Sequence, residues 1–277
     1  MQDRLPPGLH VVATPIGNLA DLSPRAADTL RRADRLLVED TRVTAKLLVH
    51  MGAKVPMTRY DDHSSDRDRE AIVARLGNEA IALVSDAGTP LISDPGYKLV
   101  RAARAAGQAV HTVPGPSAAI AALTLAGLPT DRFLFLGFLP AKAKARADAI
   151  AEIAGVRATL VLYESGPRLA ATLAALGDGL GDREAAVARE ITKLHEECVT
   201  GTLEELAERH AAAPPRGEIV IVVAPPAPKE TASDAELDAA IDTALDSMSP
   251  SEAAAAVAKR LNLPRKRVYA RVLEIIR

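Results

Sequence analysis

The loop Ser85–Gly96 has the composition of a ligand-binding segment. Within twelve residues it contains two glycines, two prolines and two aspartates, and it follows the apolar run Ile81–Val84, which is typical of a buried strand. Glycine lets the backbone approach a ligand closely, and proline restricts φ so that the loop keeps one shape. Ligands bind at the carboxyl ends of strands in open α/β sheets, so this position predicts a binding site. An ordinary turn, with Asp94 capping a helix that begins at Pro95, would explain only the last residues.

A second loop of this kind, Thr14–Asn18, follows the first predicted strand, Leu9–Ala13. Alone it could be a tight turn as well as a binding site, but both loops are expected at the same edge of a sheet. No Gly-x-Gly-x-x-Gly follows this strand and no Walker A sequence occurs, which argues against a dinucleotide-binding Rossmann site and an NTPase.

Glu190 and Lys193 stand three residues apart after the predicted strand Ala185–Arg189. A helical turn there would bring both side chains to one face. They could form an exposed ion pair that contributes little to stability, or they could act together on a reacting group.

The segment Ser85–Gly96 closely resembles a signature of the ribosomal small subunit methyltransferase I family, a branch of the tetrapyrrole methylase superfamily. The resemblance covers residues 9 to about 225, and the tail more weakly. Further segments resemble the family's pattern in its order: Ala13–Leu19, Glu39–Arg42, Pro114–Ala118, Gly137–Pro140, Tyr163–Ser165 and Ala188–Lys193. The resemblance implies a two-domain α/β fold and methyl transfer from S-adenosylmethionine to the ribose 2′-oxygen of a decoding-region cytidine in 16S rRNA.

The resemblance also implies a set of contacts to S-adenosylmethionine. Its members are Pro15, Ile16, Gly17, Gly88, Thr89, Ile92, Ser117, Ala118, Tyr163, Ala188 and Ile219. Ser117 and Ala118 stand at a predicted helix N-terminus, where free N–H groups favour a carboxylate. For Ala188 and Ile219, a place in the core of a strand is the alternative.

A ribose hydroxyl is a poor nucleophile while it is protonated, so a base or a cation that eases proton loss should help. The polar candidates are Asp86, Glu164, Arg168, Glu190 and Lys193. Among them we expect Lys193 to ease deprotonation or bind phosphate, and Glu190 to orient it. Arg168 is present, although Gly166 and Pro167 stand where the family commonly has a histidine before this arginine.

RNA contact must come from local basic patches, because the net charge is −2. The predicted RNA-binding residues are Arg42, Arg168, Lys259, Arg260, Arg265, Lys266 and Arg267. The chain has only seven aromatic residues, and Phe133, Phe135 and Phe138 are expected in the core of a strand. Stacking on bases is therefore disfavoured, and recognition should depend on phosphates, ribose hydroxyls and RNA shape.

Short apolar runs alternate with amphipathic segments in the first half, which predicts a mainly parallel sheet flanked by helices. The expected strands there are Leu9–Ala13, Arg35–Val38, Ile81–Val84 and Ala109–Val113. Ser23 and Pro24 predict a helix start. The second half should form a mixed sheet from Phe133–Phe138, Thr159–Tyr163, Ala185–Arg189 and Glu218–Ala224.

Three domains are expected: an N-terminal α/β domain (1–120) with the cofactor loops and the substrate side, a second α/β domain (121–228) that closes the cofactor cleft, and a helical module (229–277). Prolines at 225, 226 and 228 predict a stiff linker before the module. Residues 229–258 carry seven acidic and one basic residue, whereas 259–277 carry seven basic and one acidic residue. Two helices joined near Pro264 are similar to a helix-turn-helix unit, whose basic residues could be a solvated face or a phosphate contact.

The composition is that of a soluble globular protein, with 48% hydrophobic and 25% charged residues. A single cysteine, Cys198, suits a reducing cytoplasm and lacks the neighbours of a zinc site. The N-terminus has no apolar region of a secretion signal, and no apolar run reaches the ~18 residues of a membrane span. We therefore expect a cytoplasmic protein without a membrane partner or a bound metal. The family resemblance implies a homodimer.

Two alternatives remain at this point. A tetrapyrrole (precorrin-type) methyltransferase of the same fold would typically carry Gly-Pro-Gly-Asp in the first loop and Gly-Asp-Pro in the third. Here Pro15–Asn18 and Gly88–Pro90 stand instead, which argues against that activity. The other alternative is a non-catalytic ribosome-assembly factor.

Overall fold

The structure is a computed structural model that describes residues 4–227, 233–261 and 263–276. The chain divides into two compact units, Met1–Pro225 and Pro226–Arg277. Pro228, the last proline of the predicted linker, lies outside the described residues. No helix in the described part of the chain combines the length and the apolar character that crossing a membrane requires.

The first half of the larger unit alternates strands and helices. Its elements are β1 (Gly8–Val12), α1 (Pro24–Arg32), β2 (Arg35–Val38), α2 (Thr41–His50), β3 (Met57–Arg59), α3 (Asp66–Arg75), β4 (Ala80–Leu83), α4 (Tyr97–Ala105), β5 (Val110–Val113) and α5 (Ala118–Leu125). The predicted start of α1 is confirmed: the Ala26 N–H donates to the Ser23 side chain, and Pro24 occupies the first turn. Strand β3 has no counterpart in the sequence prediction.

These strands form a five-stranded sheet in the order β3-β2-β4-β1-β5, and every neighbouring pair is parallel. Apolar side chains of the sheet pack against α1 and α2 on one face and against α3 and α4 on the other. All five strands end at the same edge, so the loops after β1, β2, β4 and β5 lie together there.

The second half forms the other sheet. Its elements are β6 (Phe133–Phe138), α6 (Ala143–Ile153), β7 (Thr159–Ser165), α7 (Gly166–Leu180), β8 (Glu184–Arg189), β9 (Glu197–Thr202), α8 (Leu203–Ala212) and β10 (Glu218–Val223). The order is β6-β7-β10-β8-β9, with β6 and β7 parallel and the other pairs antiparallel. The mixed sheet is therefore confirmed, with β9 as an edge strand that the sequence did not predict.

Each face of the second sheet is covered by helices. Leu160, Leu162 and Ile221 form one core with α7 and α8. On the opposite face, Val161 and Val220 pack against α5. The predicted boundary between residues 120 and 121 falls inside α5, the helix that follows the last strand of the first sheet and covers the second. This boundary stays a prediction.

The smaller unit contains three helices in its described part, α9 (Asp234–Leu245), α10 (Pro250–Leu261) and α11 (Arg265–Ile275). Leu237, Ile241, Val257, Val268 and Val272 form its core. Ser249 and Glu252 form the predicted cap of α10, because the Ser249 N–H and hydroxyl both donate to the Glu252 carboxylate, at 3.1 and 2.6 Å.

Candidate active site

A cavity of about 380 Å³ lies between the strand-end loops of the first sheet and the second sheet. The first half contributes Ile16, Glu39, 86–89, 92–94, Ser117 and Ala118, and the second half contributes Phe138, 163–165, Ile191 and 217–220. Sites for small ligands have volumes of roughly 300–1,000 Å³, so a molecule of cofactor size fits here.

Eight of the eleven predicted cofactor contacts line this cavity: Ile16, Gly88, Thr89, Ile92, Ser117, Ala118, Tyr163 and Ile219. Pro15 and Gly17 flank Ile16 but are not part of the lining. A Cβ at Gly17 would lie 2.6 Å from Lys193 Cγ, so this glycine packs against the lysine stem. Ala188 is fully buried in the core that α5 shares with the second sheet.

Backbone hydrogen bonds hold the strand-end loops together. Thr14 and Gly88 exchange two of them, with N···O distances of 2.8 and 3.1 Å. The Thr89 hydroxyl donates to the Pro116 carbonyl at 2.9 Å, which ties the loop after β4 to the loop after β5. Gly88 has a φ of +81°, a conformation that favours glycine. The loops that the sequence singled out thus form one rigid wall.

Helix α5 begins at this wall. Ser117 is its N-cap residue, and its side chain makes no capping hydrogen bond. The first N–H groups of a helix lack partners within the helix, and they carry the positive end of its dipole. Ser117 and Ala118 both line the cavity, so this end of α5 is suited to a carboxylate group of a ligand.

The charged side chains in the cavity wall are all acidic. They are Glu39, Asp86, Asp94, Glu164 and Glu218, and no lysine, arginine or histidine is among the lining residues that the structure describes. Burial raises the pKa of Asp94 to about 6, and the charges of Asp86, Asp62 and Glu218 add to this effect while a hydrogen bond from Ser85 opposes it. Burial, followed by the charges of Asp86 and Asp94, also raises the pKa of Glu39. Such a wall favours a ligand with a positive charge.

Of these carboxylates, Glu164 has the most partners inside the protein. Its side chain accepts hydrogen bonds from the Thr172 hydroxyl at 2.7 Å and the Ser165 N–H at 2.8 Å. Arg168 forms an ion pair with it at 3.3 Å and donates to the Leu139 carbonyl at 2.7 Å. Arg168, a predicted RNA-binding residue, is thus engaged in internal contacts.

Glu190 and Lys193 lie beside the cavity rather than in its wall. The Lys193 ammonium donates to Glu190 at 3.1 Å and lies 3.6 Å from Glu218, which does line the cavity. A turn rather than a helix joins the pair, with the Lys193 N–H donating to the Glu190 carbonyl at 2.9 Å. Burial lowers the pKa of Lys193, but the hydrogen bond from Lys193 to Glu190 and the charge of Glu218 outweigh it, so the pKa is raised overall. Lys193 is therefore a cation at neutral pH.

The other predicted RNA-binding residues are mostly exposed. The Arg42 side chain is 87% exposed at the start of α2, held by the Asp40 carboxylate. In the smaller unit Arg267 pairs with Asp234 at 3.2 Å, and Arg265 donates to the Ser251 hydroxyl at 3.2 Å. Lys259, Arg260 and Lys266 are exposed there.

Two sequence expectations at the cavity are wrong. Phe138 is 57% exposed and lines the cavity instead of filling the core, with its ring 5.7 Å from that of Tyr163. The strand bulges between Phe135 and Gly137, whose φ is +63°, so Phe138 pairs with Tyr163 and lies on the same face as Phe135 instead of the alternate one. A glycine inside an apolar strand is the signal that could have indicated this.

Asp94 is the second exception. Helix α4 begins at Tyr97 with Gly96 as its N-cap residue, so Asp94 does not cap it and Pro95 is not its first residue. The Asp94 carboxyl belongs to the cavity wall instead. Glu39, Ile191 and Glu218 also line the cavity and were not among the predicted site residues.

A family model described as "Tetrapyrrole (Corrin/Porphyrin) Methylases" matches residues 8–207, and one described as "RsmI C-terminal HTH domain" matches residues 231–275. The protein named ribosomal RNA small subunit methyltransferase I from Erythrobacter litoralis is 55% identical over 273 residues, which cover 99% of this chain and 97% of that protein. The protein of the same name from Mesorhizobium japonicum is 46% identical over 274 residues, covering 98% and 93%.

A solved structure has a similar fold. Uroporphyrin-III C-methyltransferase from Thermus thermophilus, in complex with S-adenyl homocysteine, superimposes with a TM-score of 0.54 at 22% identity. The match covers 78% of this chain and 96% of that chain. At this identity the likeness shows the fold, in agreement with the α/β architecture expected from the sequence.

Proposed function

This chain belongs to the tetrapyrrole methylase family, in its ribosomal RNA small subunit methyltransferase I branch, and on that premise we propose that it methylates the ribose 2′-oxygen of a cytidine in 16S rRNA. It is an S-adenosylmethionine-dependent rRNA methyltransferase. The choice of the ribose oxygen, the cytidine and the decoding region is the proposal. The match to relatives named ribosomal RNA small subunit methyltransferase I supports the RNA acceptor, and the cavity in which eight of the residues implied by the family resemblance meet supports the cofactor site.

The cavity residues fit S-adenosylmethionine. When bound, this cofactor supplies a methyl group on a positively charged sulfur. The free N–H groups at Ser117 and Ala118 suit its carboxylate, and the acidic side chains Glu39, Asp86 and Asp94 suit its positive charges. Gly88 supports this fit, because a Cβ there would lie only 3.3 Å from Ile16 Cγ2 and would push on the wall.

Apolar side chains from both halves of the unit shield the reaction from water. Ile16 and Ile92 belong to the first half, and Phe138, Ile191 and Ile219 to the second. Holding the acceptor oxygen in line, roughly 3–3.5 Å from the methyl carbon, can remove much of the barrier. These fixed surfaces orient the two reactants with little reorganisation during the reaction.

The acidic cavity wall would repel RNA phosphates, so we expect the phosphates to bind cationic side chains outside the cavity. Lys193 keeps its positive charge, and its ammonium lies 3.6 Å from the carboxylate of Glu218, a residue of the cavity wall. Arg42 is exposed, and Asp40, which holds it, donates its N–H to the wall residue Asp86 at 3.0 Å. We infer that these two side chains bind phosphates of the RNA, with Glu190 orienting Lys193.

The smaller unit supplies a second basic surface. Its match to a helix-turn-helix family model supports a role in RNA contact, carried by Lys259, Arg260, Arg265, Lys266 and Arg267. Because Arg267 pairs with Asp234, its contribution to phosphate binding should be smaller than that of Lys266. We also propose, from the family resemblance, that the protein acts as a homodimer in the cytoplasm on an assembled or assembling small subunit.

The test is transfer of tritiated methyl from S-adenosylmethionine to small subunits that lack this modification, compared with naked 16S rRNA and with corrinoid precursors. We expect label in the subunits. A methylated 2′-oxygen cannot attack the neighbouring phosphate, so alkaline hydrolysis should release the label in a dinucleotide. Label in a mononucleotide would contradict ribose methylation, label in corrinoids would favour the tetrapyrrole alternative, and no transfer would favour an assembly factor without chemistry.

A further inference from the structure

Asp94 occupies a place that its local sequence does not explain. Asp followed by Pro is a common start of a helix, yet α4 begins three residues later and uses Gly96 as its N-cap residue. Gly96 makes this possible because its φ is +134°. The Asp94 carboxyl is therefore not consumed by the helix and lines the cavity.

The loop around Asp94 has a strained backbone. Leu91 and Ser93 both have positive φ, +74° and +63°, which side-chain-bearing residues seldom adopt. A Cβ at Gly96 would lie 2.7 Å from Leu83 Cδ2, and one at Gly137 would lie 2.8 Å from Ser93 Oγ. The loop is thus held between its own sheet and the bulge of β6. Strain of this kind persists where surrounding structure imposes it, and it is common at active sites.

The groups that face Asp94 come from several elements. Asp86 belongs to the same loop, Asp62 precedes α3, Glu218 lies on β10, Tyr163 lies on β7, and Ser85 donates a hydrogen bond to it. Glu39, after β2, is also near enough for the charge of Asp94 to raise its pKa. Within residues 4–227, Asp94 takes part in no ion pair, so no cation stabilises its charge.

Apart from Glu39, whose pKa burial also raises, the other ionisable groups at the cavity are less suited to accept a proton. Glu164 is saturated by hydrogen bonds and by Arg168. Asp86 accepts the Asp40 N–H. Burial raises the pKa of Tyr163, which keeps it neutral, and Lys193 is already protonated. The Glu218 side chain is largely exposed and lies near Lys193.

We propose that Asp94 is the catalytic base that takes the proton of the acceptor hydroxyl. This inference rests on the proposed ribose methylation. As the bond between the 2′-oxygen and the methyl carbon forms, the carbon–sulfur bond breaks and its electron pair stays on sulfur. The hydroxyl proton passes to the Asp94 carboxylate and is later released to water. A base is most effective when its pKa lies close to the working pH, and the pKa of Asp94, about 6, is nearer to neutrality than that of an ordinary aspartate.

The test compares Asp94→Asn with Asp148→Asn, a matched change at an exposed position of α6. With unmodified subunits as acceptor, D94N should lower kcat by about 10²–10⁴-fold, the usual contribution of a general base, while D148N leaves it unchanged. At subsaturating concentrations of both reactants, the wild-type rate should rise with pH through about 6 as Asp94 loses its proton, and D94N should lack this rise.

Two readouts do not depend on turnover. In ¹³C NMR spectra of the free protein, one aspartate carboxyl should titrate near 6, and its signal should be missing in D94N. Asp62→Asn should move this titration to lower pH, because it removes a negative charge that raises the pKa of Asp94. Calorimetry with S-adenosylmethionine should show that D94N still binds the cofactor, with the weaker affinity that the wild-type protein has below pH 6, which also demonstrates that it is folded.

The outcomes separate this inference from the proposed function. If D94N methylates ribose at the wild-type rate with an unchanged pH profile, Asp94 is not the base, although the methylation stands. A full rate in D94N together with an absent NMR titration near 6 leads to the same conclusion. If the wild-type protein methylates no ribose, both proposals are wrong.

Discussion

Alanine substitutions at Gly88 and Gly107 distinguish the energetic cost of a backbone conformation from the effect of a methyl group on the cavity. Gly88 and Gly107 both have positive φ, +81° and +69°. A Cβ at Gly107 would have no neighbour within 4 Å, whereas one at Gly88 would lie 3.3 Å from Ile16 Cγ2. Alanine at either position pays the same type of conformational penalty, but only Gly88→Ala presses on a side chain that lines the cavity.

The expected effects on stability are similar for the two variants. A side chain in the left-handed conformation costs ~1–2 kcal/mol. For a unit of this size that corresponds to a decrease in Tm of roughly 2–8 °C. The expected effects on cofactor binding differ. G88A should raise the Kd for S-adenosylmethionine by about tenfold or more, a loss of ~1.4 kcal/mol, because Ile16 must move. Gly88→Val, with two further methyl groups, should abolish binding, and Gly107→Ala should leave the Kd unchanged.

Calorimetric titration with S-adenosylmethionine and thermal unfolding followed by circular dichroism measure the two quantities on the same samples. Equal affinities in G88A and G107A, with similar losses of Tm, would remove the loop after β4 from the binding site. Loss of binding in both would mean that the effect comes from general destabilisation rather than from the cavity wall.

Three further outcomes follow from the site. Lys193→Ala should raise KM for the RNA by about tenfold or more, because it removes a charge-assisted contact to a phosphate. Added salt should reduce this difference, and the Kd for the cofactor should stay unchanged. An unchanged KM for the RNA would exclude Lys193 from the site. Glu164→Ala should lower the free energy of unfolding in urea by ~3 kcal/mol or more, because it leaves Arg168 and Thr172 without their buried partner. A loss below about 1 kcal/mol would contradict a stabilising role of this buried carboxylate. Affinity for S-adenosylmethionine should fall as pH decreases through about 6, where Asp94 becomes neutral. Affinity for the product S-adenosylhomocysteine, whose sulfur is uncharged, should fall less. Equal losses of affinity for the two molecules would contradict an electrostatic preference of the wall for the charged sulfur.

The sequence predicts those parts of the fold that local rules determine. Ser23 and Pro24 start α1, Ser249 and Glu252 cap α10, and the apolar runs at β2 and β6 have the predicted bounds. Strands β3 and β9 escaped prediction for a physical reason. Both lie at sheet edges, where side chains are half exposed and the apolar pattern that indicates a strand is weak.

Only those cavity residues that belong to recognisable sequence motifs could be predicted. Gly88, Thr89 and Ser117 belong to recognisable loops, and parallel topology brings those loops to one edge. Glu39 and Glu218 are far apart in sequence, and only the packing of both sheets places their carboxylates in one wall. For Asp94 a local helix-start rule pointed elsewhere, and the strained loop overrode it. Such conflicts between local preference and tertiary structure are expected at functional sites.

A crystal structure of the protein with S-adenosylmethionine would show directly where the cofactor binds. We expect the cofactor in the cavity between the two sheets, with its carboxylate at the N-terminal end of α5 and its sulfur beside the acidic wall that contains Asp94. Its methyl carbon should face an opening wide enough for a ribose. Cofactor bound elsewhere, or a methyl group enclosed by side chains, would show that this cavity is not the site of methyl transfer.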